Sequence, residues 1–232
     1  MAYGIPLLSG KDSMYVDGYL TGEFGEAIKV SALETVQFSA TGVVDDVTQC
    51  MTLAPKVSGD LVYVLGTTAN EMGASEYYEL LGQTGLNVPQ VNFDRFKVIY
   101  RALEKAIANG LTASAHAIAR GGLATHVALV AMGGGLGFEM DLTRMPVDER
   151  NGVPGTDALL FSESAGRFIV TVAPENQSTF EKMFKGMACA MVGHVTDAHT
   201  RLVIKGTDGK IVSDHSLDEL ETAWTAPLGD MI

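Results

Sequence analysis

Short β-forming apolar runs alternate with segments of helical periodicity along most of this chain. Leu61–Leu65 and Arg167–Val172 are compact apolar runs of strand length. Residues 93–107 carry apolar side chains at alternating spacings of three and four, and residues 123–132 are apolar on almost every side. A chain that interleaves such strands and helices builds a layered domain. From about residue 60 onward, the sequence therefore predicts an α+β fold with layered α/β organisation.

Local signals mark where several of these elements begin or turn. Residues 70–81 are helical by composition, and Asn92 is placed to cap the helix that follows. Asp208-Gly209 predicts a hairpin turn between two strands. Ser216 and Glu219 have the spacing of a capping box and predict a final helix.

Residues 1–50 carry fewer signals of regular structure. Residues 4–8 and 34–44 are predicted strands, and the glycine-rich, polar segment 15–25 is a predicted loop. No full helix accompanies these strands. We therefore expect residues 1–50 to be the tail of a preceding domain whose beginning is absent.

The net charge of the chain argues against some classes of binding partner. The chain has 28 Asp and Glu against 16 Lys and Arg, a net charge of −12, which argues against nucleic acid or an anionic membrane as the main partner. Hydrophobic residues make up 47% and charged residues 19%, as in an ordinary globular protein. Cys50 and Cys189 are too few for a disulfide framework, and no apolar run approaches the ~18 residues of a membrane span. These features predict a cytoplasmic protein.

Gly10, Lys11, Asp12 and Ser13 form a small-residue turn after the first predicted strand. Backbone N–H groups and a lysine in such a turn can hold a phosphate, and the neighbouring carboxylate can bind Mg²⁺. The glycine spacing is not that of a P-loop. A surface turn with a fortuitous charge pair is the alternative interpretation.

Two further junctions carry polar residues. His116 precedes Gly121 and Gly122, where a strand leads into the apolar helix, and the N-terminus of a helix can bind an anion. The favoured alternative is close packing with His116 as a hydrogen-bonded neighbour, since no second metal ligand stands at a helical or hairpin spacing. Glu163 and Ser164 lie at a helix-to-strand junction, where structural hydrogen bonding explains them equally well.

Five segments, taken in their order, resemble the phosphoribosylformylglycinamidine synthase family. They are GIPLLSGKDSMY (4–15), GDLVYVLG (59–66), EMGASEYY (71–78), HAIARGGLATHVALVAMGGGLGFEMDL (116–142) and LFSESAGRFIVTV (160–172). The superfamily also holds aminoimidazole ribonucleotide synthetase, the selenophosphate synthetases and the thiamine-phosphate kinases, but SGKDS, GASEYY and FSES favour the formylglycinamidine enzyme. The resemblance implies the C-terminal domain of the aminoimidazole ribonucleotide synthetase-like fold, preceded by the tail of its N-terminal domain.

The resemblance also implies an activity. In this family the synthetase chain holds two repeats, so residues 1–50 would end the second ATP-binding N-domain and residues 51–232 would form the second C-domain. The implied reaction is ATP-dependent amidation of formylglycinamide ribonucleotide (FGAR), with ATP and Mg²⁺ as cofactors. The implied partners are the remaining synthetase domains and a glutaminase that supplies ammonia. We expect no catalytic residue in this chain and no turnover by the chain alone, and the surface that faces the first repeat is the predicted surface for a homodimer.

Roles for single residues follow from the same resemblance. Gly10 matches a nucleotide contact and Ser13 a substrate contact. Lys11 stands where related enzymes place a metal-binding Asn, so a cation stands where a metal ion might sit. Asp12 is a candidate metal ligand only from the pattern of the turn itself. The motif matched by Glu163 and Ser164 contacts the substrate in the first repeat of the family.

Segment 116–122 departs from the family pattern His-Asp-x-Ser-Asp-Gly-Gly. Ala117 replaces the Asp that coordinates Mg²⁺, and alanine cannot ligate a metal ion. Arg120 replaces the second Asp and could meet a phosphate or an interface carboxylate. We therefore expect the nucleotide site of this domain to be degenerate.

Two other functions stay open at this point. The chain could be a non-catalytic structural or interface module that completes a site built by other domains. It could also be another member of the superfamily, such as an aminoimidazole ribonucleotide synthetase or a selenophosphate synthetase.

Overall fold

The computed structural model falls into two compact units. It describes residues 3–6, 17–31, 38–198 and 201–227. The units are residues 1–48 and residues 49–232. The domain boundary after residue 50 stays a prediction.

The smaller unit contains a β-hairpin. β1 (Asp17–Thr21) pairs antiparallel with β2 (Ala27–Ser31). β1 lies inside segment 15–25, so the loop predicted there is wrong. Gly22 and Gly25 form only the turn, because their backbone N–H groups bond within it, while the residues before them pair with β2.

The two strands predicted for this part of the chain are absent from its described residues. Residues 4–6 and 38–44 have no strand, so the prediction is wrong there. Residues 7–8 and 34–37 lie outside the described residues. An apolar, β-branched run forms a strand only where a partner strand and a covered face are available, and residues 38–44 are exposed.

One mixed sheet is the centre of the larger unit. The strands of this unit are β3 (Leu61–Leu65), β4 (Thr68–Ala69), β5 (Ser114–Ile118), β6 (Leu136–Asp141), β7 (Val147–Asp148), β8 (Arg167–Val172), β9 (Cys189–Ala198), β10 (Arg201–Lys205) and β11 (Ile211–Ser216). The sheet has seven strands in the order β11-β10-β6-β9-β3-β8-β5. Its neighbours are antiparallel except β6 and β10, which are parallel. β4 and β7 form a separate parallel pair.

Helices cover both faces of this sheet. They are α1 (Glu76–Leu80), α2 (Phe93–Ala108), α3 (Gly122–Gly134), α4 (Thr156–Phe161), α5 (Gln177–Met183) and α6 (Leu217–Thr225). Buried residues of α3, α4 and α6 share one core with the sheet, and those of α2 and α5 share another. Among the described residues, no helix has the length and apolar character needed to cross a membrane.

The central strand β3 shows why both faces are covered. Val62 and Val64 belong to the core that contains α3, whereas Tyr63 and Leu65 belong to the core that contains α2. Adjacent side chains of a strand point to opposite faces, so a continuous apolar run is stable only between two layers. The predicted layered α+β class is confirmed.

Several local signals are confirmed as well. The Asn92 side chain accepts a hydrogen bond from the Arg95 backbone N–H at the start of α2. Ser216 and Glu219 make both hydrogen bonds of a capping box at α6. Asp208-Gly209 lies in the turn that joins β10 to β11.

The helix predicted over residues 70–81 is confined to α1. Ala74 has a φ of +55°, in the left-handed region, and Ser75 caps α1 by accepting from the Tyr78 backbone N–H. A left-handed residue interrupts a right-handed helical path. Residues 70–74 therefore form a loop at the end of the sheet.

Asp60 is a buried carboxyl that lacks a full set of partners. Its side chain is 3% exposed, and no hydrogen-bond donor among the described residues contacts its Oδ2 atom. Burial, together with the charge of Glu175, raises the pKa of Asp60 above its usual range. The folded state thus binds this proton more tightly than the unfolded chain, so stability is lost as the pH rises through the raised pKa.

Asp60→Asn should stabilise the larger unit at neutral pH. The substitution removes a buried charge, and we expect a gain of ~1 kcal/mol in the free energy of unfolding at pH 7. The gain should vanish below the ordinary carboxyl pKa of ~3.9, where Asp60 is protonated in both states. Urea unfolding at both pH values measures the difference, with the exposed Asp45→Asn as control. Equal or lower stability of Asp60→Asn at pH 7 would contradict the assignment.

Candidate functional site

Five loops of the larger unit meet at one end of the sheet, which we call the carboxyl edge. β3, β5 and β6 end at this edge, and β8 and β9 begin there, because β8 and β9 are antiparallel to those strands. The region beyond the carboxyl ends of strands is a common place for ligand sites. The loops are residues 66–75, 119–121, 142–146, 162–166 and 186–188.

Arg167 lies beneath the loops of the carboxyl edge. It is 1% exposed, and its Nε donates to the Ser164 carbonyl oxygen at 2.7 Å. Its Nη2 donates to the Ser162 carbonyl oxygen at 2.5 Å, and its Nη1 donates to Thr68 Oγ1 at 2.8 Å. Burial lowers the pKa of Arg167 to about 10, which still leaves the guanidinium charged at neutral pH. The three bonds fix the turn that follows α4 against β4.

Ser164 is inside this network rather than at the surface. It is 2% exposed, and its Oγ donates to Glu71 Oε2 at 2.6 Å and accepts from the Ala69 backbone N–H at 3.1 Å. Glu71 is itself 1% exposed, and its Oε1 accepts from the Gln90 backbone N–H at 3.0 Å. The hydroxyl therefore holds a buried carboxylate, and its role in substrate binding stays a prediction.

Glu163 connects two loops of the carboxyl edge. Its Oε1 accepts from the Glu76 backbone N–H at 3.0 Å and from the Gly121 backbone N–H at 2.9 Å. The Glu163 carboxylate thus lies beside the paired glycines, at the place where the sequence suggested that an anion could bind. The contact is structural hydrogen bonding of the kind that the sequence left open for this junction.

Arg120 forms an ion pair with Glu76 at the same place. Its Nε donates to Glu76 Oε1, and this partner raises the pKa of Arg120 above its usual range. The guanidinium is largely exposed. Arg120 therefore meets a carboxylate of its own chain, with part of its surface open to solvent.

His116 finds an unpredicted partner in His126. The ring atoms His116 Nε2 and His126 Nδ1 are 2.8 Å apart, and His126 Nε2 lies 3.1 Å from the Arg120 carbonyl oxygen. A carbonyl only accepts, so His126 Nε2 donates to it, its Nδ1 accepts, and His116 Nε2 is the donor. Burial lowers the pKa of both imidazoles, and His116 further lowers that of His126. His126 stands on α3, ten residues from His116, a spacing that no ligand pattern flags.

The residues of segment 116–122 do not fit Mg²⁺. Ala117 offers no oxygen, and the Arg120 cation pairs with the nearest carboxylate, Glu76. Within the described ranges no three His, Cys, Asp or Glu side chains form a group that could hold a metal ion. No step of a reaction is therefore assigned to a metal at this segment.

The other predicted site residues cannot be placed. Gly10, Lys11, Asp12 and Ser13 lie outside the described residues. Their nucleotide, metal and substrate roles stay predictions.

A cavity of about 220 Å³ opens beside the Arg167 network. Its polar side chains include Glu71, Arg95 and Arg150, and its apolar wall includes Phe96 and Ile99. Sequence reasoning missed it because its wall joins loops far apart in the chain. It is lined by Gly66, Thr67, Glu71, Gln90, Asn92, Arg95, Phe96, Val98, Ile99, Arg150, Ser164, Ala165, Gly186, Met187 and Ala188.

Comparison with known proteins decides the family. Residues 57–205 match the family model described as "AIR synthase related protein, C-terminal domain". The chain belongs to this family. It is also 30% identical over 226 residues to the phosphoribosylformylglycinamidine synthase subunit PurL of Alkaliphilus metalliredigens (strain QYMF), a match that covers 96% of this chain and 28% of PurL. The predicted resemblance is confirmed, and the chain spans little more than a quarter of that relative.

Solved structures share the fold of this family member. T. maritima PurL complexed with FGAR matches 75% of this chain and 30% of its own, at a TM-score of 0.64 and 19% identity. The hydrogenase maturation protein HypE of E. coli matches 70% of this chain and 51% of its own, at a TM-score of 0.52 and 19% identity. At 19% identity, each of these two structural similarities establishes the fold and nothing further.

Segment 116–122 should not bind a metal–nucleotide complex. Mn²⁺ with ADP should leave the amide NMR signals of this segment unbroadened, because Ala117 and Arg120 provide no oxygen ligand. The variants Ala117→Asp and Ala117→Asp/Arg120→Asp restore one and both carboxylates of the family pattern and should show progressive broadening. Selective broadening in the unmodified chain would contradict the prediction.

Proposed function

We propose that this chain forms the C-terminal part of a phosphoribosylformylglycinamidine synthase. The complete enzyme is a ligase that converts FGAR to the amidine with ATP and glutamine, in de novo purine biosynthesis. The observation that carries the proposal is the similarity to the PurL subunit over 96% of this chain. The T. maritima PurL complexes with FGAR and with ATP support these two substrates.

The remaining parts of the enzyme belong to the same proposal. ATP and Mg²⁺ are the cofactors, and the other synthetase domains and a glutaminase are the partners in the cytoplasm. Gly10, Lys11, Asp12 and Ser13 keep their predicted roles in nucleotide, metal and substrate binding. A homodimer through the surface that faces the first repeat is a further expectation of this proposal.

One observation favours a non-catalytic role for this chain within the enzyme. Each predicted site residue within the described ranges binds a partner in its own chain; these residues are His116, Arg120, Glu163 and Ser164. Groups held in this way are preorganised to form the wall of a site. The chain would then complete a site that other domains build. The weaker likeness to HypE gives the superfamily alternative no comparable support.

A domain exchange tests the proposed function. The C-terminal segment of A. metalliredigens PurL that matches this chain is replaced by the chain, and FGAR-dependent ATP hydrolysis is measured with ammonia. We expect activity in the chimera and none in the chain alone, because the chain supplies no catalytic residue. An exchange with the corresponding HypE segment is the matched control and should be inactive. A folded but inactive chimera, or turnover by the chain alone, would contradict the proposal.

A further inference from the structure

Two arginines face the cavity beside the carboxyl edge, and one carboxylate orients both of them. Asp148 Oδ2 accepts from Arg95 Nη1 at 2.9 Å and lies 3.2 Å from Arg150 Nη2. Asp148 Oδ1 also accepts from the Arg150 backbone N–H at 3.1 Å. Arg95 holds the pKa of Asp148 below its usual range, so the carboxylate is charged at neutral pH. The two guanidiniums are thereby held close together at the cavity.

The arginines retain N–H groups that Asp148 does not use. Arg95 Nη2 lies 3.5 Å from Thr67 Oγ1, a long hydrogen bond, and Arg150 Nη1 lies 3.9 Å from Glu71 Oε1, beyond hydrogen-bond length. Both side chains remain partly exposed. Guanidinium forks of this kind pair with carboxylates and phosphates, which accept two parallel hydrogen bonds.

Two of the three charged residues that line the cavity are cations, although the chain is acidic. They are Arg95 and Arg150, and the third charged residue is Glu71. Asp148 holds the two arginines, and the carboxylate of Glu71 is in the wall. Glu71 and Asp148 thus offset the two arginine charges, which leaves the guanidinium N–H groups that neither carboxylate uses to attract an anionic ligand.

Part of the cavity lining is apolar. Phe96, Val98 and Ile99 of α2 form this part, together with Met187. The volume of the cavity, about 220 Å³, is below the ~300–1,000 Å³ of sites for drug-sized ligands. A ring or short hydrocarbon of a small molecule fits such a lining.

We propose that this cavity binds a small anion, a carboxylate or phosphate ester, whose oxygens meet Arg95 and Arg150 and whose apolar body packs on Phe96 and Ile99. The site does not depend on the proposed ligase function, because it is built within this chain. The anionic head and the apolar body are separate requirements. Each can therefore be tested with simple probes.

Binding of four probes to the full chain tests the site. Inorganic phosphate, phenyl phosphate, acetate and benzoate are titrated at low ionic strength, and amide NMR shifts of residues 66–67, 95–99 and 186–188 are followed. Phenyl phosphate or benzoate should bind at least tenfold more tightly than its counterpart without a ring, and the tighter of the two identifies the head group. Shifts confined to other residues, or equal affinity with and without the ring, would overturn the proposal.

Variants separate the site from general charge effects. Arg150→Gln and Arg95→Gln should weaken binding of the aromatic probe at least tenfold, and Arg95→Lys, which keeps the charge but not the fork, should weaken it less. Arg101→Gln on the exposed side of α2 is the matched control and should bind as the unmodified chain does. Thermal unfolding confirms that each variant is folded. Unchanged affinity in a folded Arg150→Gln variant would refute the assignment.

Discussion

Arg167 is removed from water, and two backbone carbonyls and one hydroxyl meet its guanidinium directly in place of a carboxylate. Burying a charge costs several kcal/mol unless hydrogen bonds and nearby opposite charge compensate it. Glu71 and Glu163 provide that charge at longer range and favour the charged form of Arg167. The turn of residues 162–166 and β4 are therefore constrained together, because moving either would expose an unpaired donor or acceptor.

The loops of the carboxyl edge follow from this constraint. The fixed turn presents Ser164 to Glu71 and Glu163 to the start of α3, so two buried or half-buried carboxylates acquire hydrogen-bond donors. At the exposed side of these loops, Arg120 forms an ion pair with Glu76. Segment 116–122 is thus held by Glu163 at Gly121 and by Glu76 at Arg120, both from this chain. These contacts support the proposal that the domain forms a wall of a larger site.

Sequence patterns predicted the elements whose stability is local. The 3-4 spacing and the Asn92 cap located α2, and the continuous apolar run of β3 implied a strand covered on both faces. The contacts of the candidate site could not be predicted from the sequence, because Glu71 and Ser164 are 93 residues apart and periodicity carries no information on such pairs. The pairing of His116 with His126 likewise depends on how α3 packs beside β5. The loop predicted from composition was wrong at β1, because pairing with β2, rather than the glycine content, decides the structure there.

Amide hydrogen exchange in Arg167→Met tests most directly whether the carboxyl edge depends on this guanidinium. The amides of Ala69 and Gly121 bond to Ser164 Oγ and Glu163 Oε1, and the amide of Gln90 bonds to Glu71. These three should exchange at least tenfold faster in the variant, while the β10–β11 hairpin keeps its protection. Unchanged exchange at all three amides in a folded variant would contradict the account.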